Sequence, residues 1–169
     1  MLGGSRSGKS AHAEQLVAGT ADVLYLATSR GDPADPEWTA RVAAHRARRP
    51  AGWTTLETTA PSDLLRRGTV LVDSVTTWVA ALIDENGVWD ADDPDAPTRL
   101  ARRCHALVDS WVMTPAHVVA VSDEVGLGVV PETRAGRLFR DTLGTVNQRL
   151  AATADEGWFV VAGLPQRLR

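Results

Sequence analysis

The chain has 169 residues, a formal net charge of −3, 44% apolar residues and 23% charged ones, the ordinary proportions of one globular domain with one core. The slightly acidic balance excludes a broad basic face for nucleic acid, and a single cysteine excludes an internal disulfide. No apolar run approaches the ~20 residues of a membrane helix and no basic-then-apolar leader opens the chain, so the sequence reads as cytoplasmic.

The N-terminal segment Gly3-Gly4-Ser5-Arg6-Ser7-Gly8-Lys9-Ser10 is followed by a helix-forming run over 11–17. The apolar run VLYLA, Val23–Ala27, reads as a buried strand. Residues 36–49 read as a helix with Pro36 in its first turn. A short strand at 53–56 and a short helix capped by Ser62 through Arg66 come next. TVLV, 69–72, is a second clear strand ending at Asp73, with a helix over 75–83. A loop rich in Asp and Pro at 90–97 leads to a long amphipathic helix over 98–113. HVVAV, 117–121, is a third strand, then a loop marked by Gly126, Gly128 and Pro131, a helix over 132–154 bent near Gly144, and a last strand at 158–162. Continuously apolar strands alternating with helices predict an α/β fold, a mostly parallel sheet with helices on both faces. Only Met1 and Leu2 precede Gly3, so the strand that should lead into the first loop is truncated.

Gly3-x-x-x-x-Gly8-Lys9-Ser10 matches the phosphate-binding P-loop in full. Glycines let the backbone wrap phosphate oxygens with its N–H groups. The helix that follows adds the positive end of its dipole. Lys9 is the catalytic cation expected on the outer phosphates, and the Ser10 hydroxyl the expected Mg²⁺ ligand. Asp73, at the end of its strand, offers the second Mg²⁺-directed acid of such sites; a cap for the following helix is the other reading of it. Arg41 and His45 share a face of the helix over 36–49, and Arg46, Arg48 and Arg49 follow at once. An imidazole among guanidinium groups suits phosphate chemistry, while a solvated basic helix end is the bland reading. Cys104, beside Arg102, Arg103 and His105, is either a thiol of lowered pKa or inert packing. Glu124, after the third strand, falls at the ligand-collecting edge of the sheet and reads either as a substrate or metal contact or as a brace for its loop.

Taken together, GGSRSGKSAHAE (3–14), VLYLATS (23–29), RVAAHRARRP (41–50), LVDSVTTWV (71–79), DEVGLGVVPETRAGRLFRDTLGTVNQRLAATADE (123–156) and VVAG (160–163) resemble the bifunctional adenosylcobinamide kinase and adenosylcobinamide-phosphate guanylyltransferase family. The resemblance runs over nearly the whole chain, in the family's order. It implies a RecA-like P-loop NTPase fold, a homotrimer, and use of GTP or ATP with Mg²⁺. It also implies phosphorylation of adenosylcobinamide on its aminopropanol hydroxyl, then transfer of GMP through a guanylylated histidine to adenosylcobinamide phosphate. That histidine falls on His45. Nucleotide-contacting positions fall on Gly3, Gly4, Ser5, Arg6, Ser7, Gly8, Lys9 and Ser10, on Thr28, Ser29 and Arg30, on Arg46, Ala47, Arg48 and Arg49, on Glu57 and on Asp73. The chain departs from the family's pattern at Ser74, Ala81 and Asp123, the last adding a negative charge near the phosphates. Two other readings of the P-loop stand beside the family: a different small metabolite kinase, which needs no nucleophilic histidine, and a RecA-like nucleotide-binding regulatory subunit.

Overall fold

The computed structural model describes residues 1–29, 34–47, 49–89 and 93–169, with Glu37, Trp38, Arg41 and His45 described by their backbone alone. Its seven strands are β1 (Leu2–Gly3), β2 (Val23–Ala27), β3 (Thr54–Glu57), β4 (Thr69–Asp73), β5 (His117–Asp123), β6 (Trp158–Val161) and β7 (Leu164–Arg167). They form one sheet in the order β3-β2-β4-β5-β1-β6-β7, parallel throughout except that β7 runs antiparallel to β6. The helices are α1 (Lys9–Val17), α2 (Pro36–Ala47), α3 (Val75–Glu85), α4 (Ala96–Met113) and α5 (Arg134–Thr153). Strand β5 separates the P-loop strand β1 from β4, which carries Asp73, the RecA-like arrangement expected of the chain.

Side-chain alternation along the strands builds two cores. Leu24, Leu26, Val70 and Val72 face one side and pack with Trp78, Leu82, Leu100, Leu107 and Leu143 from α3, α4 and α5. Val23, Tyr25, Leu71 and Val121 face the other and pack with Ala13 and Val17 of α1. Apolar residues on both pleats are what a sheet covered on both faces requires. Trp78 is fully buried and donates its indole N–H to the Thr59 carbonyl at 2.9 Å, so its one polar atom costs nothing on burial.

Several predicted boundaries move. The helix expected over 62–66 is a single 3-10 turn, Pro61–Leu64, with Pro61 fixing its entry. Helix α2 ends at Ala47, α4 begins two residues before the predicted start, and α5 begins at Arg134 because Thr133 is its cap, accepting from the Gly136 N–H. Strand β5 continues to Asp123, two residues past its expected end. The short first strand is real as a pairing element: Leu2 and Gly3 bridge Ser122–Asp123 on one side and Phe159–Val160 on the other. Strand β7 was not foreseen. A turn at Ala162 (φ 52°) and Gly163 (φ 79°) reverses the chain after β6 and lays it back antiparallel, the two-residue hairpin that favours positive φ.

Candidate functional site

The P-loop joins β1 to α1. Arg6 (φ 56°) and Gly8 (φ 95°) both take the left-handed conformation, which turns successive N–H groups toward one concavity, as an anion cradle needs. Gly3 tolerates no side chain: a Cβ there would stand 2.6 Å from both the Ser7 hydroxyl and the Val160 carbonyl. The β6–β7 turn braces the loop from below, since the Gly163 N–H donates to the Ser7 carbonyl at 2.8 Å. A Cβ on Gly8 would lie 3.2 Å from Gly163 Cα. Gly8 caps α1 without a side-chain hydrogen bond, so the first turn keeps its N–H groups for an outside acceptor.

Lys9 is 9% exposed. Its ammonium donates to the Gly4 carbonyl at 3.1 Å and is ion-paired with Asp123. Asp123 is held by its own backbone, the N–H donating to Thr76 Oγ1 at 2.7 Å and the carbonyl accepting from Asn147 Nδ2 at 3.0 Å. Its carboxylate therefore meets Lys9 from a fixed strand end. Glu124, the neighbouring acid, turns away and accepts from the Gly126 N–H at 2.8 Å, bracing its own loop.

Asp73 closes the opposite wall. Its Oδ1 accepts from Ser10 Oγ at 3.3 Å and its Oδ2 from the Tyr25 hydroxyl at 2.5 Å. It does not cap α3; Ser74 does, accepting from the Thr77 N–H at 3.2 Å within a reciprocal capping box. Burial, reinforced by the Asp73 charge, pushes the Tyr25 phenol far above its ordinary pKa, so it stays a donor to the carboxylate. One hydroxyl and one carboxylate, both hard oxygen donors and adjacent, fit Mg²⁺, which takes few protein ligands and fills the rest with phosphate oxygens and water. Among the described residues no group of three or more His, Cys, Asp or Glu side chains gathers.

The end of α2 forms the third wall. Arg46 Nη2 donates to Glu57 Oε1 at 2.9 Å, an exposed pair worth little by itself. The Arg49 guanidinium lies 3.3 Å over the Tyr25 ring and donates from Nη1 to Thr55 Oγ1 at 2.9 Å. Its buried Nε has no acceptor among the described residues.

These walls enclose a cleft of about 510 Å³, lined by Ser5, Arg6, Ser7, Gly8, Lys9, Ser10, Tyr25, Ser29, Arg46, Arg49, Glu57, Asp73 and Asp123 among others. Its size is that of a nucleotide-class ligand site. Gly3, buried in β1, and Gly4, exposed, do not line the cleft, and Ala47 is exposed on α2. Thr28 is 1% exposed and donates to the Ser74 carbonyl at 2.6 Å, tying the ends of β2 and β4 together. Arg30, Arg48 and the His45 side chain lie outside the described residues; the His45 backbone sits in α2, beside Arg46. Sequence reasoning missed Tyr25 as a site residue. Its signal was present: one phenol in an aliphatic strand needs a polar partner when buried.

A second cavity, about 470 Å³, opens at the other edge of the sheet between β5, β6, α4 and α5, with Trp111, Leu150 and Trp158 in its wall. It contains none of the P-loop.

The family model described as cobinamide kinase / cobinamide phosphate guanyltransferase matches residues 1–168. The chain is 41% identical to the bifunctional adenosylcobalamin biosynthesis protein CobU of Salmonella typhimurium, and equally to that of Escherichia coli, covering 100% of this chain and 98% of theirs. It is 39% identical to the bifunctional adenosylcobalamin biosynthesis protein CobP of Pseudomonas aeruginosa, covering 100% of this chain and 95% of that one.

Proposed function

The chain belongs to the cobinamide kinase / cobinamide phosphate guanyltransferase family, and on that premise we propose how one cleft carries both of the family's reactions. The enzyme phosphorylates adenosylcobinamide on its aminopropanol hydroxyl and transfers GMP from GTP to the resulting phosphate, giving adenosylcobinamide-GDP. In the kinase step the hydroxyl oxygen attacks the γ-phosphorus of GTP or ATP, and the nucleoside diphosphate leaves. The P-loop N–H groups and Lys9 hold the phosphates and offset their charge. Ser10 and Asp73 would hold Mg²⁺, which supplies further neutralisation of the phosphate oxygens.

In the transfer step a neutral His45 nitrogen attacks the α-phosphorus of GTP and pyrophosphate leaves. The phosphate of adenosylcobinamide phosphate then displaces the histidine from the guanylyl group. Arg46 and Arg49 are the cations that offset charge on the α-phosphate oxygens. One observation supports this division of labour most: Lys9, Ser10 and Asp73 line the same cleft as Arg46, Arg49 and Glu57. A triphosphate bound by the P-loop therefore has the end of the His45-bearing helix within its own pocket.

We further propose a homotrimer acting in the cytoplasm, as one compact catalytic domain over 1–169. Exposed apolar side chains at Leu164 and Leu168 on and beside the edge strand β7, and at Leu127, Val129 and Val130 after β5, supply surface for association. No helix among the described residues is long and apolar enough to cross a membrane.

The test is product analysis. With adenosylcobinamide, GTP and Mg²⁺, the wild-type chain should form first the phosphate and then the GDP adduct. His45→Ala should stop at the phosphate. A His45→Ala protein that still makes the GDP adduct at the wild-type rate would remove His45 from the mechanism. A wild-type chain that stops at the phosphate would mark a simple kinase.

A further inference from the structure

Tyr25 stands in the middle of β2, which pairs with β3 on one side and β4 on the other. It is 2% exposed, and both of its faces of contact reach the cleft. The hydroxyl donates to Asp73 Oδ2 at 2.5 Å, on β4. The ring carries the Arg49 guanidinium at 3.3 Å, and Arg49 is pinned to Thr55 on β3 at 2.9 Å. Phenylalanine would fill the same volume and stack under the same cation, so the hydroxyl is accounted for by Asp73 alone. The nearer oxygen of Asp73 toward the P-loop meets Ser10 Oγ at 3.3 Å. A continuous series of contacts therefore runs Ser10–Asp73–Tyr25–Arg49–Thr55, from the metal side of the cleft to its arginine side.

We propose that Tyr25 is a positioning residue that sets the metal-side acid Asp73 and the phosphate-side cation Arg49 together. It touches neither reacting phosphorus. Its hydroxyl fixes the plane of the carboxylate, and its ring fixes the height and tilt of the guanidinium on the cleft wall. The metal side and the arginine side of the cleft thereby share one rigid reference. The inference rests on the proposed function only in taking Asp73 and Arg49 as groups that meet the nucleotide.

The two halves of the residue can be removed separately. Tyr25→Phe deletes the hydroxyl and keeps the ring; Tyr25→Leu deletes both. Outer partners of metal ligands typically govern affinity by about 10–100-fold, so Tyr25→Phe should raise the Mg²⁺ concentration for half-maximal enhancement of GTP binding about tenfold. It should leave GTP affinity without Mg²⁺ at the wild-type value. Tyr25→Leu should in addition weaken Mg²⁺-free GTP binding. In a double-mutant cycle read without Mg²⁺, Arg49→Ala should cost about tenfold in the wild-type background and about twofold in Tyr25→Leu.

An unchanged Mg²⁺ titration in Tyr25→Phe overturns the hydroxyl's role. An equal Arg49→Ala cost in both backgrounds overturns the ring's. Because Tyr25 is the chain's one tyrosine, fluorotyrosine labelling gives a single ¹⁹F resonance that should shift on Mg²⁺-free GTP binding, and again when Mg²⁺ is added. A resonance indifferent to both ligands contradicts the proposal. All these readouts are binding alone. Failure of His45 to take up GMP would leave the coupling intact, and failure of the coupling would leave the carrier intact.

Discussion

Lys9 reaches a nucleotide only by exchanging one anion for another, because Asp123 already holds it from the end of β5. The pair is largely shielded, with Lys9 and Asp123 side chains 11% and 25% exposed, so its strength is not lost to solvent as a surface pair's is. Asp123→Asn removes the competing charge and keeps the shape. It should tighten GTP binding about tenfold, equivalent to roughly 1.4 kcal/mol, as measured by equilibrium titration; weaker binding would mean that Asp123 helps to hold the ligand instead. The one thiol is a simpler case. Burial raises the Cys104 pKa, with Arg149 opposing, so the cationic neighbours read from sequence do not activate it. Iodoacetamide at neutral pH should leave the native chain unmodified and label it quickly once denatured. At this scale the motif residues were legible because their spacing is local. The Tyr25–Asp73 and Lys9–Asp123 contacts were not, because each depends on which strands lie side by side.

The elements that carry the loop are tuned by tight backbone demands. Gly3→Ala drives a Cβ to 2.6 Å from the Val160 carbonyl and the Ser7 hydroxyl, and should cost about 1–3 kcal/mol, the usual range for overpacking, in urea unfolding. At the start of α3, Ser74→Ala removes the cap that accepts the Thr77 N–H and should cost about 1 kcal/mol. In the β6–β7 turn, Ala162 bears φ 52° without the freedom of glycine. Ala162→Asn, a residue favoured at such positions, should stabilise by about 0.5–1 kcal/mol, and an unchanged melting temperature would count against strain there. Long periodic segments were legible from sequence: β2 and β4 fall where apolar runs put them, and α4 does so apart from two further residues at its start. The misplaced elements are those fixed by tertiary partners. The 3-10 turn at Pro61–Leu64 is too short to show a period. Strand β7, LPQR, has no apolar alternation and contains a proline, which is tolerated at a sheet edge. It exists because the Ala162–Gly163 turn folds it onto β6, and through Gly163 it braces the P-loop.

The sheet as a whole places β5 between the P-loop strand and the Asp73 strand, which opens a cleft wide enough for the end of α2 to share with the phosphate loop. Fold class was legible from the alternation of elements and its RecA-like type from the family resemblance, while the strand order β3-β2-β4-β5-β1-β6-β7 was not read from sequence, since pairing across the sheet leaves no local signature. The proposed trimer predicts a solution mass three times the 18.1 kDa chain by light scattering; a monomer at micromolar concentration would contradict it. The central claim is that the nucleotide held by Lys9 and Ser10 passes its GMP to His45. The direct measurement is incubation with Mg²⁺ and GTP labelled at the α-phosphate, followed by denaturation and counting of label on the chain. Wild-type protein should carry acid-labile, base-stable label, and His45→Ala should carry none. Wild-type protein that binds GTP yet takes up no label, or His45→Ala protein labelled like wild type, would contradict the account.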